Sequence, residues 1–139
     1  MIGARDALGH KARVIGVISD RANTYRLSLD AGRPVASNSA VTFADGMAVR
    51  IPDATAFDVI RRGAERLVEV TDDEVAEAIR LLYSDTHTLA EGAGAAAFAA
   101  LMKEREKSRG KRVAVVVSGQ NIDRPWMATV LNGGTPQVS

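Results

Sequence analysis

The chain has 139 residues, balances 18 lysines and arginines against 17 aspartates and glutamates, and contains no cysteine. A chain of this length can bury roughly 68% of its unfolded surface, so one domain with a real core is expected. The near-neutral charge argues against a nucleic-acid partner, no apolar stretch is long enough for a membrane span, and the missing cysteines exclude a thiolate zinc site. Residues 1–14 are charged and lack an apolar secretion segment, so a cytoplasmic location is expected.

Strand and helix patterns alternate along the first half of the chain. A mostly β-branched run at residues 14–18 predicts a buried strand. The apolar spacing of residues 20–31 predicts an amphipathic helix, and residues 41–45 predict a short extended piece. A start signal at Asp53 predicts another helix, which is followed by a second short strand at residues 67–70.

The second half begins with the strongest local signal in the sequence. Thr71 and Glu74 have the spacing of a capping box, which predicts a helix directly after them. Residues 91–110 predict a helix whose first turns carry only small side chains before Phe98 and are deeply buried. The apolar run at residues 113–117 predicts a buried strand, and Pro125 marks the start of a final helix.

Strands separated by helices of this length predict an α/β fold with a mostly parallel sheet flanked by helices. We assign residues 1–131 to one domain and residues 132–139 to a polar tail. In open α/β sheets, ligands bind beyond the carboxyl ends of the strands. This rule directs attention to the residues that follow each predicted strand, above all residues 118–121.

Taken one at a time, few side chains at these positions indicate a catalytic or binding role. Ser118 follows a predicted strand and precedes Gly119, so its hydroxyl is displayed and can donate or accept a hydrogen bond, although a local turn role is the commoner one. A carboxylate at a helix start, such as Glu91, normally just interacts with the positive end of the helix dipole. A histidine at a helix end, such as His87, normally interacts with the negative end. Neither His87 nor His10 belongs to a metal-binding motif, so no metal site is expected.

Five segments taken together resemble the C-terminal part of threonine/serine dehydratases, which are fold-type II pyridoxal-phosphate enzymes. The segments are RVIGV at 13–17, ADGMAV at 44–49, VTDDEV at 70–75, AEGAGAAA at 90–97 and VSGQNID at 117–123. They occur in order and with compatible spacing over essentially the whole chain. The resemblance implies a three-layer fold that corresponds to part of the large domain of these enzymes, with pyridoxal 5'-phosphate as the cofactor.

The resemblance also assigns roles to individual residues. The position matched by Ser118 donates its hydroxyl to the pyridine nitrogen of the cofactor, and a neutral hydroxyl there suits elimination because it does not hold that nitrogen protonated. Gly46 and Gly119 match residues that lie near the cofactor, and Glu91 matches the carboxylate beside the ring. The implied reaction removes water from threonine, serine or hydroxyaspartate, a choice that stays open, and yields a 2-oxo acid and ammonia.

The 139 residues depart from the family pattern in ways that bear on activity. The family's Schiff-base lysine lies in an N-terminal Ser-x-Lys motif and its phosphate in a glycine-rich loop, and neither motif occurs here. We therefore assign no catalytic residue and expect the isolated chain to be incompetent in catalysis. The alternative is a non-catalytic chain, either a truncated product or a subunit that completes a site with a separate N-terminal partner. In either case, open sheet edges make self-association an expectation.

Smaller departures concern metal binding, turn geometry and regulation. Ile18 and Thr24 stand where cation-binding members carry Glu and Asp, so no metal is expected. Gln120 stands where a second Gly is usual and would be strained if that turn required a positive φ, while Gly92 stands where Pro is usual. No regulatory amino-acid-binding domain follows residue 139, so feedback control is not expected from this chain.

Overall fold

The computed structural model describes residues 1–138 and shows two short parallel strands among helices. Strand β1 (Ile15–Ser19) pairs with β2 (Arg66–Val70) in a register that places Val17 opposite Val68. The helices are α1 (Ile2–Ala7), α2 (Thr24–Ala31), α3 (Ala54–Gly63), α4 (Asp72–Thr86), α5 (Gly92–Lys103), α6 (Arg105–Ser108) and α7 (Arg124–Leu131), with a 3-10 turn at Asp45–Met47. Since parallel strands need a crossover, α2 and α3 lie between β1 and β2 in the chain.

The two faces of the small sheet are covered by different helices, which gives three layers. Val68 and Val70 belong to the main apolar core, which they share with residues of α4, α5 and α7. Gly16 and Leu67 line the other side, where a cavity of about 240 Å³ separates the strands from α2 and α3. This arrangement confirms the predicted α/β class.

The helix starts that carry a local signal in the sequence form as predicted. The Thr71 hydroxyl accepts a hydrogen bond from the Glu74 amide at 3.1 Å, and the Glu74 carboxylate accepts one from the Thr71 amide at 2.9 Å. Asp53 caps α3 by accepting from the Ala56 amide at 2.8 Å. His87 ends α4 in the left-handed conformation, with φ of 55°. These contacts are local, so a short stretch of sequence is enough to specify them.

The prediction of a buried strand at residues 113–117 is wrong. The segment has no regular secondary structure, and Val113 and Val116 are 50% and 51% exposed. A strand exists only where another strand pairs with it, and within residues 1–138 the segment has no such neighbour. The composition of this segment is therefore typical of a strand, although no strand forms within residues 1–138.

Two further boundaries differ from the predicted ones. Residues 42–44 are buried but irregular, and the chain then enters the 3-10 turn instead of an extended piece. Helix α2 begins at Thr24, later than predicted, because Ser19 forms a turn in which its carbonyl accepts from the Ala22 amide at 3.1 Å. Helix α1 carries no signal that we recognised, and the single helix predicted over residues 91–110 is divided at Glu104 into α5 and α6. Within residues 1–138, no helix combines the length and apolar character needed to cross a bilayer.

Candidate functional site

The candidate site lies at the N-terminus of α5, where Glu91 is the residue that precedes the helix. The Glu91 backbone amide donates a hydrogen bond to the Gly119 carbonyl at 3.2 Å. Its carboxylate accepts another from the Asn121 amide at 2.9 Å. One residue thus holds the turn at 118–121 to the start of α5 through both its backbone and its side chain.

Gly119 has a conformation and a neighbour that both require glycine. Its φ is +75°, in the left-handed region that side chains rarely adopt. A Cβ placed on it would lie 2.2 Å from Oε1 of Glu91. The positive φ of this turn falls on Gly119, and Gln120 is not among the described residues of positive φ, so the strain considered for Gln120 does not arise.

Gly46 also lies close to the start of α5. A Cβ on Gly46 would lie 2.9 Å from the Ala93 Cβ and 3.9 Å from Oε1 of Glu91. The Gly46 amide donates to the Asp45 carboxylate at 2.7 Å, which shapes the turn that brings it there. Gly46, Glu91 and Gly119, all predicted as site residues, are therefore brought together.

Ser118 lies next to this cluster and is exposed. Its carbonyl rests against α5, since a Cβ on Gly94 would lie 1.9 Å from that oxygen. Within residues 1–138 the Ser118 hydroxyl makes no hydrogen bond, so the local bond of an ordinary turn serine is not found in that range. The small residues at the start of α5 make this approach possible, and Gly92 similarly packs against Ala44, since a Cβ on Gly92 would lie only 2.7 Å from the Ala44 Cα.

A buried pair of side chains that sequence reasoning did not predict lies beside Ala44, the residue against which Gly92 packs. The Thr42 hydroxyl donates to the Asp72 carboxylate and accepts from the Ala44 amide at 3.1 Å. Asp72 is only 6% exposed, and its second oxygen lies 3.7 Å from the Arg21 guanidinium. In the sequence Asp72 is explained by its place beside the capping box, and no local signal marks its contact with Thr42.

The lysines of the chain lie away from this cluster. Lys103 donates to the Glu69 carbonyl at 2.9 Å and to the Glu74 carboxylate at 3.0 Å, and Lys107 donates to Glu104 at 2.8 Å. All four lysines, at positions 11, 103, 107 and 111, are exposed. Among the described residues, none of their hydrogen bonds reaches the start of α5.

Ile18 and Thr24, the two positions considered for metal ligands in the sequence, are both buried. Ile18 is apolar, and the Thr24 hydroxyl donates to the Val49 carbonyl at 2.9 Å. In the part of the chain that the structure describes, no three acidic, histidine or cysteine side chains gather closely enough to hold a metal ion.

Comparison with known proteins connects this geometry to a family. The L-threonine ammonia-lyase of Thermotoga maritima is 34% identical over 128 residues, which are 92% of this chain and 32% of that protein. The L-threonine ammonia-lyase of Geobacter sulfurreducens is 38% identical over 122 residues, covering 88% of this chain and 30% of that protein. Among solved structures, a threonine deaminase isoform 2 from Solanum lycopersicum superposes with a TM-score of 0.81 at 27% identity and covers 93% of this chain and 38% of that one.

This chain spans about a third of the length of the curated relatives that it matches. The family model described as pyridoxal-phosphate dependent enzyme matches residues 1–119, a range that includes Gly46, Glu91, Ser118 and Gly119. With the sequence match extending over most of the chain and the fold in agreement, the chain belongs to the pyridoxal-phosphate dependent enzyme family and is similar to part of its threonine ammonia-lyases.

Proposed function

We propose that this chain forms the ring-nitrogen side of a pyridoxal-phosphate site in an ammonia-lyase that acts on a hydroxy amino acid. The observation that carries the proposal is the convergence of Gly46, Glu91 and Gly119 next to Ser118, whose hydroxyl makes no hydrogen bond within residues 1–138. The threonine ammonia-lyases among its relatives support the reaction class. In such a reaction the hydroxy amino acid loses water and, after hydrolysis, yields a 2-oxo acid and ammonia.

The residues present fit one edge of the cofactor. Gly46 and Gly119 are exposed and carry no side chain that would keep a flat aromatic ring from their backbone. The Ser118 hydroxyl can donate to a ring nitrogen or accept from it, as the cofactor requires. We therefore assign Ser118, Gly119, Gly46 and Glu91 as the residues that would hold the ring.

When bound, pyridoxal phosphate supplies an electron-poor ring that stabilises negative charge at the substrate Cα. A neutral hydroxyl at Ser118 does not hold a proton on the ring nitrogen as a carboxylate would, so it moderates that stabilisation and favours loss of the β-hydroxyl. Glu91 acts as a positioning residue: its hydrogen bonds with the Gly119 carbonyl and the Asn121 amide hold the turn that contains Ser118 against the start of α5.

The same chemistry leads us to propose that these 139 residues do not catalyse the reaction alone. The family's covalent step needs a lysine, and every lysine of this chain is exposed, with Lys103, Lys107 and Lys111 engaged in bonds elsewhere. This observation also favours a second candidate function, that of a non-catalytic chain that completes a site with a separate N-terminal partner. The two candidates differ in what supplies the lysine.

The decisive experiment combines cofactor binding with turnover. Pyridoxal phosphate is titrated into the chain and followed by absorbance and equilibrium dialysis, with Ser118→Ala as the test and Ser84→Ala, another exposed serine, as the control. We expect Ser118→Ala to weaken binding about 2- to 10-fold, the value of one hydrogen bond, and Ser84→Ala to have no effect. Equal binding by all three proteins would contradict the role of Ser118.

Turnover is measured as 2-oxo acid formed from threonine, serine and 3-hydroxyaspartate. We expect none from the chain alone, and activity after addition of the N-terminal portion of a relative that carries the Ser-x-Lys lysine. Borohydride treatment followed by mass spectrometry should attach no pyridoxyl group to Lys11, Lys103, Lys107 or Lys111. Turnover by the unassisted chain, or a reduced adduct on one of these lysines, would show that the proposal of incompetence is wrong.

A further inference from the structure

The segment that carries Gly46 depends on its anchors for its place in the molecule. Residues 42–44 are irregular, and the 3-10 turn at Asp45–Met47 follows them. The turn is closed by a local bond, since the Met47 amide donates to the Ala44 carbonyl at 2.8 Å. Such a bond sets the shape of the turn but not its position, so the position of Gly46 depends on the contacts of residues 42–44.

Thr42 links this segment to the start of α4. Its hydroxyl donates to the carboxylate of Asp72, the first residue of that helix, and accepts from the Ala44 amide at 3.1 Å. Thr42 and Asp72 are both buried, at 5% and 6% exposed. A hydroxyl has one proton, and once Asp72 takes it, a lone pair faces the Ala44 amide. The Asp72 carboxylate therefore fixes the direction from which the hydroxyl receives Ala44.

Ala44 is the residue through which this link reaches the candidate site. It is buried, and a Cβ on Gly92 would lie 2.7 Å from its Cα, so its backbone packs on the first residue of α5. Further along the same segment, a Cβ on Gly46 would lie 2.9 Å from the Ala93 Cβ and 3.9 Å from Oε1 of Glu91. A shift of Ala44 away from α5 would carry Gly46 with it.

We propose that Asp72, acting through the Thr42 hydroxyl, is a positioning residue that holds Gly46 at the start of α5. The inference rests on the proposed function, because Gly46 is assigned there to the ring of pyridoxal phosphate. It adds a buried carboxylate that supports one side of the ring. The Ser118 turn is held separately by Glu91, so loss of the Asp72 link moves Gly46 and leaves that turn in place.

The position of Gly46 is measured by NMR on the isotope-labelled full chain. We expect a nuclear Overhauser effect (NOE) between the Gly46 α-protons and the Ala93 methyl group. Thr42→Val keeps the shape of the side chain without its hydroxyl and should abolish this NOE, and so should Asp72→Ala. Thr42→Ser keeps a hydroxyl and Asp72→Asn keeps an acceptor oxygen, so both should retain the NOE.

Ser28→Ala is the matched control for loss of a buried hydroxyl. The Ser28 hydroxyl accepts from a backbone amide, that of Val35 at 2.9 Å, and donates to the Thr24 carbonyl at 2.7 Å, but it lies in α2. We expect Ser28→Ala to lower stability in urea, as Thr42→Val does, while the NOE stays intact. Loss of the NOE in Ser28→Ala would show that destabilisation alone moves Gly46 and would overturn the proposal.

Pyridoxal-phosphate binding is the second readout. In equilibrium dialysis, Thr42→Val and Asp72→Ala should each raise the dissociation constant about 3- to 10-fold, and Ser28→Ala should leave it unchanged. The Thr42→Val/Asp72→Ala double variant should raise it no further, because both changes break the same link.

Additive effects in the double variant, or unchanged affinity in both single variants, would overturn the proposal, as would an NOE that survives Thr42→Val. If the wild-type chain binds no pyridoxal phosphate, the proposed function fails. The NOE of the variants then still decides whether Asp72 positions Gly46.

Discussion

Glu91 and Gly119 are matched to each other in both backbone and side chain. The Glu91 amide donates to the Gly119 carbonyl at 3.2 Å, and a Cβ on Gly119 would lie 2.2 Å from the Glu91 carboxylate. The carboxylate therefore occupies the space that glycine leaves open. Its position at the start of α5, beside the exposed Ser118, depends on that missing side chain.

Gly119→Ala should destabilise the fold by about 2–4 kcal/mol, because a left-handed conformation costs about 1–3 kcal/mol and the new Cβ also displaces Glu91. Gly133→Ala is the matched control, since Gly133 has φ of +86° but nothing within 4 Å of its Cβ position. Urea unfolding of both variants separates the conformational cost from the contact cost. Equal losses would contradict the contact, and adding Glu91→Ala should recover part of the loss only at Gly119.

Gly94→Ala should reverse the usual effect of this substitution in a helix. Replacing glycine by alanine inside a helix normally stabilises by about 1 kcal/mol. Here the new Cβ would lie 1.9 Å from the Ser118 carbonyl, a backbone atom that can only move with the whole turn. We expect a loss of about 1–3 kcal/mol in thermal or urea unfolding. Gly3→Ala in α1, where the space is open, should be neutral or stabilising.

The parts of the fold that could be predicted are those that short stretches of sequence specify. The Thr71 capping box and the small side chains that follow Glu91 act within one or two helical turns, and both formed as predicted. That Gly46 meets Glu91 is different, because no spacing rule relates a 3-10 turn to a helix start far along the chain. The resemblance to a family supplied that relation, and physical reasoning from the sequence alone did not.

The failures have the same cause. Valine favours strands wherever it stands, but the run at residues 113–117 becomes a strand only if a partner strand is present. The contact between Thr42 and Asp72 joins positions 30 residues apart, and the segment around Thr42 has no periodic pattern. Local preference is thus a good guide to helix ends and a poor one to pairings that the rest of the molecule must complete.

Thr42→Val should destabilise the fold by about 1–3 kcal/mol, because it keeps the shape of the side chain but leaves the buried Asp72 oxygen without its donor. Thr42→Ser retains the hydroxyl and should lose much less. The counterpart is Thr135, a half-buried residue whose hydroxyl donates to Asp73 at 2.6 Å in a solvent-exposed hydrogen bond, so Thr135→Val should cost under about 1 kcal/mol. Similar costs in the two threonine-to-valine variants would show that burial does not matter here.

The Glu104 carboxylate makes the stability of the chain depend on pH. Hydrogen bonds from Lys107 and Arg66 lower the pKa of Glu104, whose side chain is 16% exposed. A lowered folded-state pKa gives stability that is present above the unfolded-state pKa and is lost as the pH falls through the folded-state pKa. Glu104→Gln should therefore cost up to about 1 kcal/mol at neutral pH and progressively less in acid. Urea midpoints measured from neutral to acidic pH check this, with Glu106→Gln, an exposed residue in α6, as the control; a Glu104→Gln cost that does not change with pH would contradict it.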